Sequence, residues 1–151
     1  QLNDTTCILS EYGQEYSEMY NYRDLRVWQK AMDLFLMTYD LTKHFPDSER
    51  YGLVSQLNRS AVSIASNIAE GAGRNGPKEF YQFLGIANGS LAELETQLEI
   101  AKRLKFKSDH DYEELFALST YVGRMITKLQ HSIKNSGYKS VSGPAANYGE
   151  N

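Results

Sequence analysis

Apolar residues return every three or four positions along four separate stretches of this chain, and that spacing builds helices while excluding strands, which need a period of two. In the first stretch Leu25, Trp28, Met32, Phe35, Tyr39 and Thr42 form one stripe on a helix of about six turns beginning near Tyr22. Phe45-Pro46 ends it, because proline cannot donate a hydrogen bond and disfavours helical geometry at the residue before it. A second helix starts near Tyr51 with Leu53, Leu57, Ile64 and Ile68 on one face, widened by Val54, Ala61, Val62, Ala65 and Ala69. Pro77 suits the first position of a third helix, traced by Phe80, Phe83, Leu84, Ala87, Leu91, Leu94, Leu98, Ala101 and Leu104. Ser108 with Asp111 reads as a capping pair opening a fourth, whose inner side is Tyr112, Leu115, Ser119, Val122, Ile126, Leu129 and Ile133.

Short connections make successive helices antiparallel neighbours, so the expected fold is all-α: one up-down-up-down four-helix bundle over residues 22–135. Residues 1–21 lack a sustained period and read as a loose N-terminal extension. Residues 136–151, rich in Ser, Gly and Asn with Pro144, read as a disordered tail. With 41% hydrophobic residues the chain has enough apolar material for one core. No apolar run reaches the roughly 18 residues of a membrane span, and the first residues have neither a basic start nor an apolar signal segment. The expectation is a soluble, cytoplasmic protein. A single cysteine, Cys7, excludes an internal disulfide and a cysteine-based zinc site.

Catalytic signatures fail on inspection. Gly71-Ala72-Gly73-Arg74-Asn75-Gly76 matches the dinucleotide fingerprint letter for letter, but a helix precedes it where the fingerprint needs a strand. It reads instead as a glycine C-cap and turn between helices two and three. A di-iron site in a bundle needs Glu-x-x-His pairs, yet His44, His110 and His131 follow Leu41, Lys107 and Lys128 at that spacing. Asn67 and Glu70, one turn apart, read as hydrogen-bonding groups for a loop or neighbouring helix; an enzyme using them is the disfavoured alternative. The glycosylation sequons at Asn3, Asn58 and Asn88 read as accidental, two of them lying inside expected helices. No catalytic residue, cofactor, metal or small-molecule substrate is expected.

Charge is more informative. Residues 1–20 carry four acids and no base, whereas residues 21–136 carry fifteen Lys and Arg against fourteen Asp and Glu. In an antiparallel bundle the start of helix one, end of helix two, start of helix three and end of helix four share a pole. That pole gathers Arg23, Arg26, Lys30, Arg74, Lys78, Arg124, Lys128 and Lys134 against Asp24, Asp33, Glu70 and Glu79. Arg124, Lys128, His131 and Lys134 fall on one face of helix four, a spacing suited to a run of phosphates. The bland alternative is a solvated helix end whose cations favour the helix dipole. Small residues (Ser60, Ala61, Ser63, Ala65, Ser66 and Ala69; Gly85, Ala87, Gly89, Ser90 and Ala92) let helices two and three approach closely. The apolar breadth of helix two suggests a further buried surface against another copy of the chain.

Several segments, in order, carry a resemblance: Tyr22-Arg23-Asp24-Leu25-Arg26-Val27-Trp28-Gln29-Lys30-Ala31, Leu41-Thr42 with Phe45-Pro46, Tyr51-Gly52-Leu53 with Gln56-Leu57, Ser66-Asn67-Ile68-Ala69-Glu70-Gly71 with Gly73-Arg74, Glu79-Phe80 with Phe83-Leu84, and Gly89-Ser90-Leu91-Ala92-Glu93-Leu94-Glu95-Thr96-Gln97-Leu98. Over about residues 22–135 they closely resemble the four-helix-bundle family of 23S rRNA intervening-sequence proteins. The resemblance implies a ring-shaped homopentamer, usually bacterial, with no established enzymatic activity; Trp28, Asn67, Glu70, Gly71 and Gly73 are expected to serve structure or assembly. It also implies a likeness of fold to the accessory variability proteins of diversity-generating retroelements, whose positive barrels bind nucleic acid and a reverse transcriptase. The chain departs from the family pattern at Asn58-Arg59-Ser60, at Ala65, and at Lys105-Phe106, which replaces a glycine-aromatic pair. The functional expectation is an RNA or ribonucleoprotein accessory working through the basic pole; the runner-up is a protein-interaction scaffold without nucleic acid.

Overall fold

Four helices form where the pattern places them in the computed structural model, which describes residues 21–136. They are α1 (Arg26–Thr42), α2 (Leu53–Ala72), α3 (Pro77–Arg103) and α4 (Asp109–Asn135), with single 3-10 turns at Tyr22–Asp24 and Asp47–Glu49 and no strand among the described residues. Apart from Asn21 and Ser136, the expected extension and tail lie outside the described residues, as does Cys7. Each helix touches its neighbours in sequence, and α1 closes the square against α4 while the diagonal pairs stay apart. This is the expected antiparallel up-down-up-down bundle.

Local chemistry sets the boundaries. Pro77 occupies the start of α3, where its missing N–H has no partner to lose. At α4 the Asp111 carboxylate accepts the Ser108 backbone N–H at 3.0 Å and the serine hydroxyl, so the capping pair is present. The α3 C-terminus closes through Phe106 N–H to the Ala101 carbonyl and Lys105 N–H to that of Lys102. That closure requires a left-handed residue, and Lys105 supplies it at φ 58°.

Two expectations need correction. The first helix does not start at Tyr22: Asn21 caps a 3-10 turn by accepting the Arg23 N–H, Leu25 is extended, and α1 begins at Arg26. Its buried face is Val27, Ala31, Leu34, Thr38 and Leu41, one residue round from the expected stripe, of which Thr42 alone is buried as expected. Leu25, Trp28, Met32 and Phe35 flank that face partly buried, and Tyr39 is 47% exposed. Size explains the rotation. Ala31 and Thr38 let α1 seat closely on its neighbours, and the Thr38 hydroxyl is satisfied by the Leu34 carbonyl at 2.8 Å.

Contact is most extensive between α2 and α3, as the small residues anticipate. A Cβ on Gly71 would lie 2.6 Å from the Phe83 Cβ and 2.9 Å from a Phe80 ring carbon. Polar links cross the same seam: Ser60 donates to Gln97 at 2.8 Å, and the Ser63 and Ser90 hydroxyls meet at 2.9 Å. The core is mostly aliphatic, from Leu57, Ile64 and Ile68 of α2 through Leu84, Leu94 and Leu98 of α3 to Leu115, Val122 and Ile126 of α4, with Phe80 and Tyr112 among them. At the pole where α1 and α3 end, Phe45 and Phe106 pack edge to face at 5.3 Å and close the core.

Candidate nucleic-acid interface

The antiparallel order brings the start of α1, the end of α2, the start of α3 and the end of α4 to one pole, the pole expected to be basic. Its cations fall into two groups. Three are engaged locally. Arg23 lies 4.8 Å over the Tyr22 ring, which itself meets Trp28 edge to face at 5.2 Å. Lys30 pairs with Asp33 at 2.8 Å and borders a separate groove between α1 and α4 that also includes Glu114. Arg74 pairs with Glu70 and lies 5.1 Å over Phe83. By contrast Arg26, Lys78, Arg124, Lys128 and Lys134 form no ion pair among the described residues, and all five are exposed.

Three of the four residues picked out on α4 share one feature. Arg124, Lys128 and His131 line a groove of about 680 Å³ between α3 and α4. Lys134 lies beyond it, nearer the pole. The groove also holds residues that sequence reasoning missed: Asn88, Glu95, Thr120, Gly123 and Thr127. Their floor is Leu91, and a Cβ on Gly123 would come within 3.0 Å of it, so glycine keeps the groove open. The half-buried Glu95 carboxylate is held by the Ser119 hydroxyl at 2.7 Å. Part of this was visible beforehand, since Thr120, Arg124, Thr127 and His131 recur at helical spacing beside the apolar stripe of α4. Asn88 and Glu95 belong to the site only because of the α3–α4 register.

The remaining singled-out residues make contacts within the bundle. Asn67 donates to the Ser63 carbonyl at 2.8 Å and its hydroxyl at 3.0 Å, completing a chain to Ser90 on α3. Glu70 is the partner of Arg74 on the same helix. The glycine-rich turn is only partly as expected. Gly73 caps α2 by donating to the Ala69 and Glu70 carbonyls at 3.1 Å, with an ordinary negative φ. Gly71 is inside the helix and buried; closeness to α3, and not a turn, is what demands glycine there. Among the described residues no cluster of His, Cys, Asp and Glu could hold a metal, and no helix is long and apolar enough to cross a membrane.

Fold and surface together define an antiparallel four-helix bundle with an electropositive pole. More particularly, the chain belongs to the family of 23S rRNA-intervening sequence proteins, whose sequence pattern matches residues 23–128. Among curated proteins, none matches the sequence. A solved structure from Bacteroides thetaiotaomicron, a protein of unknown function from the S23 ribosomal protein family, superposes with a TM-score of 0.65 at 24% identity. The match covers 70% of this chain and 95% of that one, and at this identity it speaks for the fold alone.

Proposed function

We infer that this protein acts by binding and assembly without catalysis, as a homo-oligomer that grips RNA or a ribonucleoprotein through its basic pole. One observation carries the reading: five exposed cations at a single pole form no ion pair among the described residues, and two of them line a groove with His131. Unpaired cations on one helix face release counterions when they meet phosphates, and this release supplies most of the affinity in sequence-independent binding. The family's link to 23S rRNA accords with such a ligand.

Assembly would multiply the effect. Leu36 and Tyr39 on α1 and Val62 on α2 are 58%, 47% and 46% exposed, which supports a contact with further copies, five in all if the family resemblance extends to subunit number. A ring would set the basic poles side by side and raise the local potential. A reverse transcriptase carrying RNA is a partner compatible with this surface.

Gel-shift titration with a structured RNA across a salt series, together with light scattering of the purified chain, tests the reading. The expected result is an oligomer whose affinity falls steeply as salt rises. A monomer, or an affinity indifferent to salt, would overturn it. An oligomer that binds no RNA would favour the scaffold alternative, to which the exposed apolar residues of α1 and α2 also lend themselves.

A further inference from the structure

We propose that the α3–α4 groove is a nucleobase pocket, so that the RNA recognised at the basic pole is single-stranded and carries a base with an exocyclic amino group. This rests on the RNA-binding reading above and specifies its ligand. The groove is not uniformly positive. Arg124, Lys128 and His131 line the part nearer the pole, whereas Glu95 lies towards the bundle's middle, level with Ser119.

Helix rise gives the scale. Arg124 is about 7 Å and Lys128 about 13 Å along α4 from Ser119, at 1.5 Å per residue. A carboxylate inside a groove repels phosphate, so the groove is unsuited to a second stretch of backbone. It suits what hangs from the backbone. A phosphate held at Arg124 or Lys128 leaves its base over Leu91, on ground that Gly123 keeps clear.

The lining then discriminates among bases. Glu95 receives one hydrogen bond from the Ser119 hydroxyl and keeps acceptor capacity for an amino donor, because a carboxylate offers about four lone-pair sites. Cytosine, adenine and guanine each bear an exocyclic amino group; uracil presents a carbonyl oxygen at the corresponding position. Asn88, Thr120 and Thr127 add side chains able to donate or accept along the walls. In a duplex the base edges are paired and stacked, so only the phosphate contacts would remain.

Fluorescence anisotropy on the full chain tests this with labelled eight-nucleotide oligo(C) and oligo(U) and an eight-base-pair RNA duplex. Oligo(C) is expected to bind about fivefold tighter than oligo(U), the scale of one net hydrogen bond, and also tighter than the duplex. Glu95→Gln still accepts from Ser119 but presents an amide donor, and should erase or invert the preference for C over U. Gly123→Ala should weaken both single strands by pressing on Leu91, with the duplex unaffected and the fold checked by circular dichroism. Lys128→Glu should weaken all three ligands together. Equal binding of oligo(C), oligo(U) and duplex, with Glu95→Gln shifting all alike, would overturn the pocket while leaving the basic-pole reading intact. No binding of any RNA at low salt would overturn both.

Discussion

At the scale of single residues, two positions at the pole opposite the basic one sit in unfavourable conditions. Lys105 adopts φ 58°, a conformation that costs an L-residue with a Cβ about 1 kcal/mol and glycine almost nothing. Lys105→Gly should therefore raise stability by about 1 kcal/mol, read as a higher urea midpoint at unchanged slope. Tyr112 is the second. Its ring is fully buried, its hydroxyl has no hydrogen-bond partner among the described residues, and burial, with the nearby charges of Asp111 and Asp109, pushes its phenol up to about 12. Removing an unsatisfied buried hydroxyl is neutral to stabilising, so Tyr112→Phe should hold or raise the melting temperature. The pH dependence has a definite sign. The neutral phenol is favoured in the folded state, so the contribution is intact below the unfolded value near 10 and is lost as pH rises from there towards 12. Tyr112→Phe should flatten that part of the curve relative to the parent. Neither condition was legible beforehand. A sequence shows that Tyr112 belongs to a stripe but not whether its hydroxyl finds a partner.

Among the elements, the α2–α3 pair is the tightest seam, and Gly71 is its closest point. Alanine is the better helix former by about 1 kcal/mol, so propensity alone favours Gly71→Ala. Packing opposes it, because the new Cβ would stand 2.6 Å from the Phe83 Cβ and force the helices apart. Overpacking of this kind costs about 1–3 kcal/mol, so the variant should unfold at lower urea, with Gly73→Ala nearly silent because no atom lies within 3.4 Å of the added carbon. The contrast separates two glycines that the sequence presented as one turn motif. Helix existence, order and most inner faces were readable from periodicity. The face of α1 was misjudged by one residue, since large apolar side chains flank its seam while Ala31 and Thr38 occupy it. Hydrophobicity marks a broad arc; side-chain volume chooses the line within it.

For the whole molecule, charge polarity along the bundle axis is the property with a functional consequence. If the basic pole grips a single strand, the logarithm of affinity should fall linearly with that of salt, and each phosphate contact removed should lower the slope by about 0.7. Lys128→Glu with Lys134→Glu should therefore flatten the salt dependence, measured by anisotropy from low to moderate salt, whereas Arg74→Gln, whose charge is already paired with Glu70, should change it little. By itself the sequence determined the four helices, their antiparallel order and hence which cations gather at one pole, because periodicity and short connectors depend only on neighbours along the chain. The tertiary structure alone decided which of those cations are unpaired, that Lys30 faces another seam, and that Asn88 and Glu95 join Arg124 and Lys128 across a groove. Those facts depend on the register and rotation of one helix against another, which are set by side-chain volumes meeting across the seam.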